Sequence, residues 1–151
     1  METNENAVEV LNDLIEINND RIEGYERAIE ETEMNDSDLK VIFEQMATES
    51  RQYKQALRDL VVSLGGDAET GTTASGKIYR AWMDVKATFT GNSRKSILEN
   101  CEFGEDAAQK AYRTALQDED LPASLRELVM RQQQALKLSH DKIKMMRDQQ
   151  A

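Results

Sequence analysis

The stretch Val8–Ile29, VEVLNDLIEINNDRIEGYERAI, decides the architecture. Within it Val8, Leu11, Ile15, Asn18, Ile22, Tyr25 and Ile29 recur at intervals of 3, 4, 3, 4, 3 and 4, which places them along one face of an α-helix. Leu14 and Ala28 widen that face, and the intervening positions are rich in Asp and Glu. A chain with this period forms a long amphipathic helix, here about residues 4–33, and it must bury the apolar seam against other helices.

Working outward, the Asn35-Asp36-Ser37-Asp38 cluster supplies a tight connection and N-cap oxygens. A second seam follows through Leu39, Phe43, Met46, Ser50, Tyr53, Leu57, Leu60 and Leu64, until Gly65-Gly66 stops it, giving a helix over about 38–64. So short a connection makes the first two helices antiparallel neighbours, each about 40 Å long at 1.5 Å per residue. Residues 67–74 read as a polar loop, and Ile78, Trp82, Val85 and Phe89 mark a short amphipathic helix over about 76–89, ended by Gly91. This segment is long enough to cross the length of a bundle, with Trp82 pinning it down.

A third helix, about 93–117, carries Leu98, Cys101, Glu105, Ala108, Tyr112 and Ala115. After the Gln117-Asp118-Glu119-Asp120 turn, Pro122 suits the first turn of a fourth helix, about 122–149, with Val129, Gln133, Leu136, His140, Ile143 and Arg147 at seam spacing. The expected fold is therefore all-α. It is a single domain, 1–151, in which two antiparallel hairpins are joined by a long crossover containing its own short helix.

Composition narrows the function classes. The net charge is −10, from 19 Lys and Arg against 29 Asp and Glu, which repels a phosphate backbone and argues against nucleic-acid binding. No apolar run approaches the roughly 20 residues of a membrane span. The lone Cys101 has no disulfide partner and no charged-then-apolar leader is present, so a cytoplasmic location is expected. There is no P-loop, dinucleotide glycine pattern or Ser-His-Asp signature. Residues 1–34 hold eleven acids against Arg21 and Arg27, whereas residues 124–148 hold six bases against three acids.

A seam built only for packing would not contain Asn18, Ser50, Glu105, Gln133 and His140, because burying each without a partner costs roughly 1 to 3 kcal/mol. The rise per residue brings them toward one layer near mid-height. Two readings follow. In one, the layer is a hydrogen-bonded cluster of Asn18, Tyr25, Ser50, Tyr53, Tyr112 and Gln133 around Glu105, fixing helix register. In the other, Glu105 and His140, joined by Glu49, Glu102 or Glu23, hold one iron, manganese or zinc ion. A symmetric di-metal site needs a Glu-x-x-His from each of two helices, and one histidine cannot supply it. The polar cluster, with no cofactor, is the preferred reading, and Cys101 belongs to the core.

Residues 43–53, FEQMATESRQY, followed by Leu57, Leu60 and Gly65-Gly66, resemble the second helix of ferritins. Over nearly the whole chain, the segments Leu11-Asn12-Asp13-Leu14-Ile15, Arg80-Ala81-Trp82-Met83-Asp84, Gly104-Glu105-Asp106-Ala107-Ala108 and Ser139-His140-Asp141 resemble an uncharacterised bacterial family of ferritin-like four-helix bundles. The resemblance implies that Asn18 stands where a helix-one ligand glutamate would be, and that Tyr25 matches the tyrosine seven residues on. Ser50 and Tyr53 then stand for the glutamate and histidine of the second-helix motif. Glu105 matches the helix-three carboxylate, and His140 a helix-four histidine with Lys137 in place of its glutamate. Most ligand positions are thus exchanged.

The exchanged ligand positions point to a non-enzymatic bundle, the ferritin-like superfamily suggests stress or metal homeostasis, and the charged helix faces suit a homo-oligomer such as a dimer, or a protein partner. The competing expectation is a metal-binding, oxidoreductase-like bundle.

Overall fold

The seam residues become helices. In the computed structural model, which describes residues 2–32, 36–66, 93–119 and 121–150, the helices are α1 (Glu2–Glu31), α2 (Ser37–Ser63), α3 (Arg94–Gln117) and α4 (Ala123–Asp148). Among the described residues there is no strand, and the chain is an all-α four-helix bundle. The crossover helix expected over 76–89, with Trp82, lies outside the described residues.

Helix α1 packs along α2 and α3 along α4, while α1 also lies against α3. Side-chain pairs give the directions. Asn18 meets Tyr112 and Tyr25 meets Glu105, so α1 and α3 run antiparallel. Glu49 meets Ser139 and the Tyr53 backbone carbonyl meets the Gln132 side chain, so α2 and α4 do too. Near the start of α2 and of α3, Arg94 bridges to Asp36 at 3.0 Å and Asp38 at 3.0 Å, which sets those two helices parallel.

The helix ends show how local sequence closes each rod. Ser93 caps α3, its hydroxyl accepting from the Ser96 amide at 3.1 Å. Asp36 sits at the N-cap of α2 but makes no side-chain cap bond, contrary to the sequence expectation, because its carboxylate is engaged by Arg94. At the other end of α2 the Gly66 amide donates to Val61 O and the Gly65 amide to Val62 O, both at 3.0 Å, with Gly65 at φ +78°. This is the left-handed stop that glycine makes without strain. Gly66 has a second reason to be glycine, since a Cβ there would come within 2.8 Å of the Val8 side chain on α1. Arg126 of α4 donates to the Leu116 carbonyl in the last turn of α3 and to the Asp118 and Leu121 carbonyls of the connection that follows, tying the α3–α4 turn together.

The apolar interior has two parts. One gathers Leu11, Leu14, Ile15, Leu57, Val61, Ala111, Leu125, Val129 and Leu136. The other gathers Ala28, Leu39, Phe43, Ala47, Ile97, Leu98, Cys101, Ile143 and Met146, with the Tyr25 and Phe43 rings 5.6 Å apart. On α4 the buried line is Val129, Gln132, Leu136, Ser139, Ile143 and Met146, which corrects the seam read from sequence. Both lines share Val129, Leu136 and Ile143 at heptad spacing. The bundle turns the small Ser139 and the apolar Met146 inward and leaves His140 and Arg147 at the flank, where their polar ends keep water.

Candidate functional site

Between the two apolar parts lies the polar layer, and its centre is Arg21. Arg21 follows Asn18 by three residues and precedes Tyr25 by four, so all three point the same way from α1. Its side chain is 2% exposed. Nε donates to Glu105 Oε1 at 2.7 Å, and Nη1 donates to Ser50 Oγ at 2.8 Å and to Met46 O at 3.0 Å. Nη2 reaches Glu49 Oε1 at 3.3 Å and Met46 Sδ at 3.5 Å. These five acceptors match the five N–H donors of a guanidinium.

Burial works against the charge on Arg21, but Glu105, with Glu49 beyond it, outweighs that penalty and holds the guanidinium pKa above its ordinary value. Glu105 Oε1 also accepts from the Tyr25 hydroxyl at 2.6 Å. Burial and the Glu105 charge push the Tyr25 phenol well above its usual range, and the same two causes raise the Cys101 thiol, which is an inert core residue here. One turn away, Asn18 donates to Leu14 O at 2.8 Å and to the Tyr112 hydroxyl at 2.9 Å. The Tyr112 hydroxyl donates to Gln132 Oε1 at 2.7 Å, and Gln132 Nε2 donates to Tyr53 O at 3.3 Å. Ser139 closes the layer by donating to Glu49 at 3.0 Å. Glu105 Oε2 and Asn18 Oδ1 are buried without a hydrogen-bond partner.

Several residues singled out from the sequence lie elsewhere. Gln133 is half-buried beside the layer, and Gln132 takes the interior position instead. Tyr53 is half-buried and offers the layer its backbone carbonyl. Glu23 is exposed on α1, away from Glu105. His140 is not in the layer at all. It sits on the α3–α4 surface, its Nε2 2.5 Å from Asp106 Oδ1 and its Nδ1 3.1 Å from Asp141 Oδ1. Burial works against its charged form, but Asp141 and Asp106 outweigh this and raise its pKa. Glu102, one turn before Asp106, completes this group, and an oxygen of each carboxylate and a ring nitrogen of His140 lie within 4.8 Å of one another. Arg147 pairs with both Glu102 and Asp148.

The interior layer does not fit a pair of divalent ions. Among the described residues its carboxylates are Glu105 and Glu49; Glu105 Oε1 is already committed to Arg21 and Tyr25, which leaves Glu105 Oε2 as its one unengaged oxygen. Arg21 adds a fixed positive charge. A divalent ion about 4 Å from it would meet a repulsion of roughly 8 kcal/mol at an effective dielectric near 20.

The helix order and directions define a ferritin-like four-helix bundle. The chain belongs to the family described as Domain of unknown function (DUF2383), whose model matches residues 6–118, through α1, α2 and α3. No curated protein matches. Among solved structures the chain is similar to a Mycobacterium smegmatis Dps1 mutant, with a TM-score of 0.82 over 97% of each chain. At 11% identity that likeness speaks to the fold alone. No helix among the described residues is long and apolar enough to cross a membrane.

Proposed function

We propose that this chain is a ferritin-like bundle that works without a metal pair in its interior and carries out no reaction there. It acts by associating, with a second copy of itself or with a protein partner, in stress or metal homeostasis. The observation that carries this reading is Arg21, whose guanidinium fills the mid-bundle layer and is matched donor for acceptor. A side chain that supplies its own cation leaves the layer a role in register rather than in metal chemistry.

The surface supports the docking half. On α4, Met130, Leu138 and Met145 are exposed in a row beside Arg131, Lys137, Lys142 and Lys144. On α1 the exposed residues include Glu9, Glu26 and Glu30. A basic and apolar face on one copy complements an acidic face on another.

Metal analysis after incubation with iron or manganese, together with sedimentation velocity, tests both halves. The expected result is no bound ion whose retention depends on Glu105, and an assembly that L138E dissociates. Stoichiometric iron or manganese lost in a folded E105Q variant would overturn the reading.

A further inference from the structure

We infer that Glu102, Asp106 and His140 form a site for one divalent transition-metal ion of zinc's class on the α3–α4 surface, separate from the Arg21 layer and independent of how that layer is read. Glu102 and Asp106 stand at i and i+4, so their carboxylates lie side by side on one face of α3. His140 reaches the same point from α4, and the three donors lie within 4.8 Å of one another. Metal bonds of about 2.0 to 2.2 Å to nitrogen and oxygen place neighbouring ligand atoms roughly 3.3 to 3.5 Å apart, a distance that small side-chain rotations reach from here.

The charge arrangement asks for a cation at this point. Nε2 of His140 faces Asp106, with Glu102 beside it, so a hydrogen bridges this contact here and a cation that takes its place would meet two carboxylates and a ring nitrogen. The other ring nitrogen is held by Asp141, which is itself anchored by Lys137 at 3.2 Å. A carboxylate on the far nitrogen is what fixes the ring of a metal-bound histidine and directs its lone pair at the ion. One imidazole and two carboxylates select zinc-class ions over magnesium or calcium, whose sites are built of oxygen. Side-chain exposures of 12% for Glu102, 18% for His140 and 56% for Asp106 describe a site walled on two sides and open on the third, leaving a coordination position for water or another ligand. Arg147 competes for Glu102, but it also holds Asp148 and has a second partner to fall back on.

Equilibrium dialysis of the full chain with Zn²⁺ alone, and Co²⁺ absorption as a second probe, tests the site. The expected result is one equivalent of Zn²⁺, at least tenfold weaker in H140A and in D106N, and weaker by about 10- to 100-fold in D141N, which touches no metal but orients the ring. R147A should bind several-fold more tightly, and E23Q should match the unaltered chain. Each variant is checked for helical circular dichroism, which a surface substitution should leave unchanged. Absence of saturable Zn²⁺ binding, or binding that H140A and D106N leave intact, would overturn the assignment. So would zinc that is lost in a folded E105Q variant and retained in H140A, because that result places the ion in the interior.

Discussion

Glu105 and Asp106 are consecutive in sequence, yet they belong to two different electrostatic worlds. Glu105 is 1% exposed and meets a guanidinium that the chain itself brings, whereas the Asp106 side chain is 56% exposed and meets a histidine at the edge of solvent. The roughly 100° between successive residues of a helix is enough to separate them. The contrast teaches that a bundle can treat carboxylates from one turn of one helix in opposite ways. Inside, the countercharge is covalently tethered and every donor of the guanidinium has an acceptor. Outside, the countercharge is left open to exchange with the solution.

The sharpest way to break that contrast is to remove the interior partner. E105A should destabilise the chain by about 3 to 5 kcal/mol in urea unfolding, because it strands the Arg21 charge in the core. R21M/E105L, which removes both charges, should recover most of that loss. If the double variant is as unstable as the single one, the layer is held by packing rather than by charge. A smaller effect is expected from Y112F. Its hydroxyl links Asn18 to Gln132, and its loss leaves two buried amides short of a partner, a cost of about 1 to 3 kcal/mol. The smallest effect belongs to the surface. D106N in metal-free protein should change stability by no more than about 1 kcal/mol, as expected of an exposed ion pair. A cost as large as that of E105A would erase the distinction between the two groups.

Much of the fold was legible because seam spacing carries it. The face of α1 from Leu11 to Tyr25, the line Leu39-Phe43-Met46-Ser50 on α2, and the line Leu98-Cys101-Glu105-Ala108-Tyr112 on α3 are all buried, apart from Ile22 at the margin. On α4 the spacing admits two lines through Val129, Leu136 and Ile143. Periodicity alone does not choose between Gln132 and Gln133 or between Ser139 and His140. Packing against α3 and α2 makes that choice.

Arg21 escaped the reading for a related reason. It sits one residue before the seam position Ile22, among acids, and so looks like one of the solvated charges on that helix. It in fact shares the buried face of Asn18 and Tyr25, and Ile22 is the residue left at the margin. The available signal was its spacing of 3 and 4 from Asn18 and Tyr25, together with the scarcity of bases on so acidic a helix. Asp106 had a plainer signal, one turn from Glu102, but it becomes meaningful only once His140 is known to leave the core.

The Arg21 layer also has a consequence for how the molecule opens. It interrupts the apolar interior, so the end containing Phe43, Ile97 and Ile143 and the end containing Leu14, Leu57 and Leu125 are each packed largely within themselves. Their communication runs through a belt of directional bonds that is either made or broken. Hydrogen exchange is expected to show each end opening as far as the belt before the other does, because the next step separates a buried ion pair. The guanidinium would then act as a firebreak between two halves that open separately.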